Sequence, residues 1–462
     1  MDRISELPDF IVHHILSFFQ TSPADLVRMS VLSKTWFHLT ASFPVLYFNI
    51  HNFTSRERFF KYVEYTTSRF CNQNLAAHRL KLITSIRDPT ELDMVDRCLG
   101  LLLRNGVNEL VIRITDSSNV TKSPSAFAVQ NCPLLQVFNI HICPRFKSFF
   151  LRGHQNLQKI LISYDTRVER IDIEAPNLSS ICITSFDETA GAAEMNLALC
   201  KKLKSVIYIG HRYPLPNLNG TDFLSNFPFV ETFYLATMKN CNNIKFSSAS
   251  LRSLVLHSDS DLEEIEFTAP NLDSFSYPCD YRALSSIMDE SWPPLRDATH
   301  LKACMRCYPV RSIDAQWFQK LRRFLNKKNG FKVLNLYIQA IYSQNFMVLE
   351  KLKAVEAPPY ELEHVELQLE THAEPLAHIA FVDAVLWCCR PRSLTFRSSS
   401  PLTDFQEQND VVKFTYEKLL QQEEQGHTNI QIITPSSSFL MALSGEGKAI
   451  SFIKEEGDDF ES

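Results

Sequence analysis

The sequence predicts a mixed α/β chain with three parts: a three-helix N-terminal segment, an irregular repeat solenoid, and a small mixed α/β C-terminal cap. Three observations lead there. Helix start signals and helix-spaced apolar residues crowd the first fifty positions. A short apolar phrase then returns every twenty-odd residues. Beyond about residue 311, strand-like phrases alternate with helical ones. The expected divisions are 1–48 for the helical segment and 49–106 for a helical linker and leading cap. Residues 107–310 are expected to form the solenoid, 311–425 the closing repeats and cap, and 426–462 a mobile polar tail.

The N-terminal helices come first. Pro8 suits the first turn of a helix, where its missing N–H costs nothing. Leu7, Ile11, Ile15 and Phe18 follow at helical spacing, and Val12, Leu16 and Phe19 make a second stripe beside them. Ser22-Pro23-Ala24-Asp25 starts a second helix carrying Leu26, Met29 and Val31. Ser33 can cap a third, bearing Trp36, Leu39 and Phe43 and closed by Pro44. Three such helices share too small a core for this many apolar side chains. If Leu7, Ile11, Ile15, Leu16 and Trp36 are partly left out, they form a patch of the kind that marks a protein interface.

The order Leu7-Pro8, Ile15-Leu16-Ser17-Phe18, Asp25-Leu26-Val27, Val31-Leu32-Ser33-Lys34, Trp36 and Leu39 resembles the F-box in the form common in plant F-box proteins. The resemblance covers roughly residues 2–48. It departs at Thr35, where such sequences often carry a basic residue, and at Phe19-Gln20, where Leu-Pro is common. It implies docking on a Skp-type adaptor, which links to a cullin and a RING subunit in a ubiquitin ligase. Leu7, Pro8, Ile11, Ile15, Leu16, Val31, Leu32, Trp36 and Leu39 would then form the adaptor-facing or core set.

The repeat phrase is apolar-x-x-apolar-x-apolar. It reads Leu135–Phe138–Ile140, Leu157–Ile160–Ile162, Leu178–Ile181–Ile183, Leu203–Val206–Tyr208, Val230–Phe233–Leu235, Leu251–Leu254–Leu256 and Leu272–Phe275–Tyr277. First positions are 22, 21, 25, 27, 21 and 21 residues apart, in or near the range of leucine-rich repeats. Weaker copies sit halfway at Phe146–Phe149–Leu151, Val168–Ile171–Ile173, Cys241–Ile244–Phe246 and Leu262–Ile265–Phe267. They suggest a second extended segment in each unit. Ala175-Pro-Asn-Leu-Ser-Ser recurs as Ala269-Pro-Asn-Leu-Asp-Ser, which fits internal duplication. Only Cys143 clearly occupies the Asn/Cys position three residues past the last apolar residue, so a regular asparagine ladder is not expected.

On either side the pattern changes. Arg56–Phe70 and Glu91–Arg104 read as helices before an opening repeat at Val107–Leu110–Ile112. Phe331–Leu334–Leu336, Leu362–Val365–Leu367 and Pro391–Leu394–Phe396 read as closing strands. Asp314–Asn326, Ser343–Leu352 and Ala377–Cys388 read as helices between them. Residues 331–397 loosely resemble the small mixed domain that often ends plant F-box proteins with such repeats.

Composition and motifs exclude more than they assign. A net charge of −5 in 462 residues gives no reason to expect nucleic acid or an anionic membrane, and no apolar run is long enough to span one. The start lacks the basic region and unbroken apolar core of a secretory signal, and the 12 cysteines lack framework spacing, so free thiols in a reducing compartment are expected. That places the chain in the cytoplasm or nucleus. Eleven glycines are few for a nucleotide-binding enzyme. Cys304-Met-Arg-Cys307 has metal or redox spacing but no second pair at zinc-finger distance. Adjacent His13 and His14 point to different helix faces and cannot ligate together. No catalytic motif occurs, so no catalytic residue, cofactor or metal is assigned. The expected function is a non-catalytic substrate receptor of a cullin-based ubiquitin ligase, with repeats that hold an unidentified target protein. The alternative is a non-degradative repeat scaffold.

Overall fold

The computed structural model describes residues 7–18, 23–116, 132–142, 148–165, 168–185, 193–210, 224, 229–237, 244–257, 265–277, 304–307, 315–327, 330–338, 358–369, 375–398, 405–422, 429–433 and 449–455. It divides into two compact units, residues 1–230 and 231–462. Both are mixed α/β, with helices and parallel sheets and no closed barrel among the described strands.

The first unit opens with three short helices, α1 (Asp9–Phe18), α2 (Pro23–Ser30) and α3 (Lys34–Ala41). The chain then enters a parallel sheet through β1 (Val45–Asn49), β2 (Arg79–Ile86), β3 (Glu109–Asp116) and β4 (Val137–Ile142). Two helices, α4 (Arg56–Asn72) and α5 (Pro89–Arg104), make the crossovers between β1, β2 and β3. Parallel neighbours need such a return segment, because a tight hairpin can only join antiparallel strands. Ser55 caps α4 by accepting from the Arg58 N–H. Asp88 caps α5 by accepting from those of Thr90 and Glu91, with Pro89 at the first helical position.

After β4 a strand replaces each helix. β5 (Ser148–Arg152), β7 (Arg170–Glu174) and β9 (Glu194–Asn196) form a second parallel sheet. They alternate along the chain with β6 (Lys159–Tyr164), β8 (Ser180–Ser185) and β10 (Ser205–Gly210), which extend the first sheet in the order β1-β2-β3-β4-β6-β8-β10. The halfway copies of the phrase thus occupy a sheet of their own. Equivalent phrase positions pair in register: Ile140 opposite Ile162, Ile162 opposite Ile183, Ile183 opposite Tyr208. Their lead residues Leu135, Leu157, Leu178 and Leu203 are buried. Each phrase presents its alternate residues to one interior, and neighbouring turns close that interior on both sides.

Two features differ from the sequence reading. The stretch expected to be a helical linker (49–106) carries a strand of the sheet, and β1 crosses the expected boundary at 48. Phe43–Leu46–Phe48 and Ala77–Leu80–Leu82 are copies of the same phrase, all buried. They escape a period search because α4 and α5 lengthen their units and an alanine leads one of them. A different asparagine series bonds from turn to turn. It runs on the residue just before the phrase: Asn156 Nδ2 donates to Pro133 O (2.7 Å), Asn177 Nδ2 to Gln155 O (2.6 Å) and Asn271 Nδ2 to Ala249 O (2.7 Å). Two residues further back, buried Cys132 and Cys200 donate Sγ–H to Val107 O (3.3 Å) and Ile173 O (3.4 Å). The cysteine bonds are buried and satisfy carbonyls that the stacked turns remove from water, while the asparagine bonds lie at the surface. Cys143 lies outside the described residues.

The second unit repeats the motif. β11 (Thr232–Thr237), β13 (Ser253–His257), β15 (Ser274–Tyr277), β16 (Cys304–Cys307), β17 (Val333–Ile338), β18 (Tyr360–Leu369) and β19 (Cys389–Ser398) run parallel in that order. β12 (Ile244–Ser247) and β14 (Ile265–Thr268) pair separately. The crossovers of the last strands become helical again, with α6 (Ala315–Lys327) and α7 (Pro375–Cys388) near the expected spans. The expected helix Ser343–Leu352 lies outside the described residues. α6 buries Phe318, Leu321, Phe324 and Leu325. Buried Arg322 donates to Pro358 O and Trp387 O and stacks on the Trp387 ring at 4.3 Å.

Residues 426 onward, expected to be a mobile polar tail, instead carry β20 (Asn429–Ile433) and β21 (Ala449–Glu455), which extend the sheet after a further helix, α8 (Phe405–Gln421). β21 pairs antiparallel with β19 and buries Ile450 and Phe452. Alternation in Ala-Ile-Ser-Phe-Ile is the signal that the polar neighbours Glu455-Glu-Gly-Asp-Asp obscure.

Candidate partner-docking site

The three N-terminal helices share one small core: Val12, Leu16, Leu39 and Phe43, with Leu26, Met29, Trp36 and Val45 packed against it. Polar contacts fix the helices around it. Ser33 Oγ accepts from the Trp36 N–H (3.2 Å) and starts α3. Thr40 Oγ1 donates to Trp36 O (2.9 Å). On α1, His13 Nε2 lies 3.0 Å from Leu39 O and 3.4 Å from Ser42 Oγ, tying α1 to the end of α3. Its ring meets Phe43 edge-on at 5.8 Å. Phe43 also leads the first strand phrase, so the helical core and the sheet share a side chain.

The nine expected docking residues divide three ways. Leu16 (1% exposed) and Leu39 (3%) are core and do not belong to the open patch expected of Leu16. Ile11, Ile15 and Trp36 are half-buried. Leu7 (37%), Leu32 (67%), Val31 (78%) and Pro8 face solvent. The two stripes of α1 explain the division. Val12 and Leu16, one turn apart, point inward, and Ile11 and Ile15, 100° behind them, lie at the rim.

Two exposed residues are absent from the sequence-based set. Phe10 is 70% exposed and Phe37 52%. Each precedes a core residue by two positions, Val12 and Leu39. A helix turns about 200° over two residues, so both phenylalanines point away from the core. That angle, read from the sequence once the inward residues are chosen, would have found them.

The described residues of this site present mainly apolar surface. Its chemistry is exposed aliphatic and aromatic carbon, with the Arg28–Asp25 pair (3.2 Å) on its surface. A charged cleft of about 530 Å³ lies beside the α4 and α5 N-termini. There Arg56 holds Glu91 through both carboxylate oxygens (3.1 and 2.5 Å) and Ser85 through its hydroxyl and carbonyl, while Glu91 also accepts from the Arg87 N–H. Those charges fasten α4 and α5 to β2. Between residues 300 and 400, burial is the leading cause of each shift: it pushes the pKa of the half-buried His364 and the buried His378 down and those of the buried Cys388 and Cys389 up. Cys307 of the C-x-x-C pair is fully buried, and the extended backbone of β16 lacks the turn that a metal or redox pair uses.

Comparison with known proteins gives relatives of one kind. An F-box/FBD/LRR-repeat protein of Arabidopsis thaliana is 31% identical over 137 residues, 28% of this chain and 28% of that protein. F-box/LRR-repeat protein 25 of Arabidopsis thaliana is 24% identical over 252 residues, 54% of this chain and 72% of that protein. Another F-box/LRR-repeat protein of Arabidopsis thaliana is 25% identical over 311 residues, 63% of this chain and 41% of that protein. The matched stretches span between 28% and 40% of the length of the first three relatives. No family model matches the chain. No solved structure matches it. At modest identity, these relatives support a plant F-box/LRR-repeat protein.

Proposed function

We propose that this chain is the substrate-recognition subunit of a cullin-based ubiquitin ligase. In this reading the N-terminal helices are an F-box that docks on a Skp-type adaptor, the stacked strands are a leucine-rich-repeat solenoid that holds a target protein, and the chain works in the cytoplasm or nucleus. One observation carries the reading. A segment with a four-residue core leaves Leu7, Phe10, Val31, Leu32 and Phe37 open to solvent. Covering apolar area is worth roughly 25 cal/mol per Å². Five large side chains could therefore anchor a partner firmly, with the half-buried Trp36 at their rim as the side chain type most often found to dominate an interface.

Catalysis in such an assembly is positioning. The receptor raises the concentration of a target lysine at the charged ubiquitin carrier and contributes no reacting group of its own. The names of the relatives, F-box and LRR-repeat, support the same division of labour.

Co-purification with a Skp-type adaptor tests the docking step. Capture by the full chain, its loss in Val31→Ala/Leu32→Ala, and a folded repeat region in the same variant are expected. Undiminished capture by a chain lacking residues 1–48 would overturn the reading. Proximity labelling under proteasome inhibition, compared with that truncated chain, separates a degradative receptor from a non-degradative scaffold: only the former accumulates ubiquitin-modified neighbours.

A further inference from the structure

Beyond β19 the sheet ends on β21 and then β20, and its last strand leaves a core layer unfinished. β20 pairs with β21 on one side and with no described strand on the other. The registers align Leu394 of β19, Phe452 of β21 and Ile432 of β20 in one row, and paired residues share a face of the sheet. Phe396, on the same face as Leu394, meets His378 of α7 edge-on at 6.0 Å, so this is the face that α7 covers. Along the row the exposure rises from 0% at Leu394 and 2% at Phe452 to 40% at Ile432. The apolar layer runs out to the edge of the sheet and stops there uncovered.

β20 also lacks the guards that keep an edge from pairing. Asn429-Ile-Gln-Ile-Ile433 holds no charge, no proline and no glycine, and Ile433, on its other face, is 45% exposed. Around Gln431 the order reads the same in both directions, Ile430 before and Ile432 after. A second copy of the strand, antiparallel and related by a two-fold axis through Gln431, therefore sets Ile430 opposite the second copy's Ile432, Ile432 opposite its Ile430, and Gln431 opposite its Gln431. Both isoleucine pairs lie on the α7 face, and the facing amides can each donate and accept. A slip of one residue would turn the apolar layer of one copy onto the wrong face of the other. Antiparallel pairing also continues the alternation of β19, β21 and β20.

We infer that β20 is a dimerisation edge: two copies of this chain join β20 to β20 antiparallel, so that the sheet and its apolar layer run through from one copy to the other. The strand carries no charge with which to select a foreign segment, whereas its own order of side chains matches itself. Such an isologous contact occupies both edges at once and closes at two copies. A pair of five-residue strands buries less than the roughly 1,000 Å² expected of a lasting interface, so the dimer forms and dissociates with concentration. The inference goes beyond the receptor reading and does not depend on it, since β20 lies in the second unit and the docking helices in the first.

Sedimentation equilibrium of the full chain, from about 1 to about 100 μM, tests it. The average mass should rise with concentration and level off at twice that of one copy. Gln431→Lys sets two ammonium groups opposite each other across the axis, and Gln431→Glu two carboxylates. Each should raise the dimer dissociation constant about fivefold or more, because like charges directly opposite are destabilising. An equimolar mixture of these two variants should dimerise more tightly than either alone, since the axis then joins an ammonium to a carboxylate. Ile432→Lys, which puts a charge at the open end of the apolar row, should leave the chain monomeric. Gln431 is exposed, so its variants keep the fold, and unchanged near-ultraviolet dichroism checks this. A chain that stays monomeric throughout, leaving the edge to a foreign strand, would overturn the inference. So would growth past two copies, self-association untouched by all three variants, or a mixture no tighter than its components.

Discussion

Leu178 in the repeats and Val31 in the N-terminal segment are both aliphatic, yet one is fully enclosed and the other 78% exposed. Their neighbourhoods make the difference. Leu178 leads a phrase with a turn stacked before it and a turn after it, in register, so apolar atoms surround it on every side. Val31 sits at the corner between two eight-residue helices whose common core holds four residues. A stacked unit borrows burial from its neighbours, whereas the helices around Val31 have only a small core to share. The same side chain is therefore structural in one region and available to a partner in the other.

The largest effect that could break this contrast is in the stack. Leu178→Ala should cost about 2–5 kcal/mol of unfolding free energy, since a rigid enclosure cannot collapse into the space it leaves. Chemical denaturation of the full chain measures it, and a loss below about 1 kcal/mol would mean the stack is loose. Leu16→Ala, in the small helical core, should melt the N-terminal segment and abolish adaptor capture through unfolding. Val31→Ala and Phe37→Ala should instead change stability by less than about 0.5 kcal/mol, as open surface substitutions do. Each should still weaken adaptor binding by about tenfold, as an interface anchor does. A parallel loss of stability and binding in Phe37→Ala would show that its ring is structural.

What the sequence disclosed follows the same division. The strand phrases are legible because period-two alternation and a fixed spacing are properties of the backbone, and every phrase from Leu135 to Leu272 whose strand is described lands in register. Phe43–Leu46–Phe48 and Ala77–Leu80–Leu82 carry the same physics but were hidden by the helices inserted between them. β21 was hidden by an acidic neighbourhood. In the docking segment the set of apolar residues was legible, but not which of them turn inward. That depends on how three helices cross, and only tertiary contact decides that Leu16 goes in and Phe10 stays out.

Smaller effects sharpen the account of what joins one unit to the next. Asn177→Ala removes a 2.6 Å hydrogen bond to Gln155 O and should cost about 0.5–1.5 kcal/mol, more than most exposed substitutions because the carbonyl between turns is left without that donor. Asn177→Asp also loses the donor but keeps the Lys202 Nζ bond to its oxygen (2.7 Å), so its cost should be no larger than that of the alanine variant.

The ion pairs that also bridge successive strands supply the control. Lys332 Nζ lies 2.6 Å from Glu363 Oε1, across β17 and β18, at the same step between turns as the asparagine bonds. Both side chains are more than half exposed, so water and salt screen them, and holding two long side chains in place offsets the gain. Lys332→Ala/Glu363→Ala should therefore change stability by less than about 0.5 kcal/mol, with each single variant close to the double. A coupling above 1 kcal/mol would mean that surface charge, rather than hydrogen bonds to the backbone and apolar contact, sets the register of the strands.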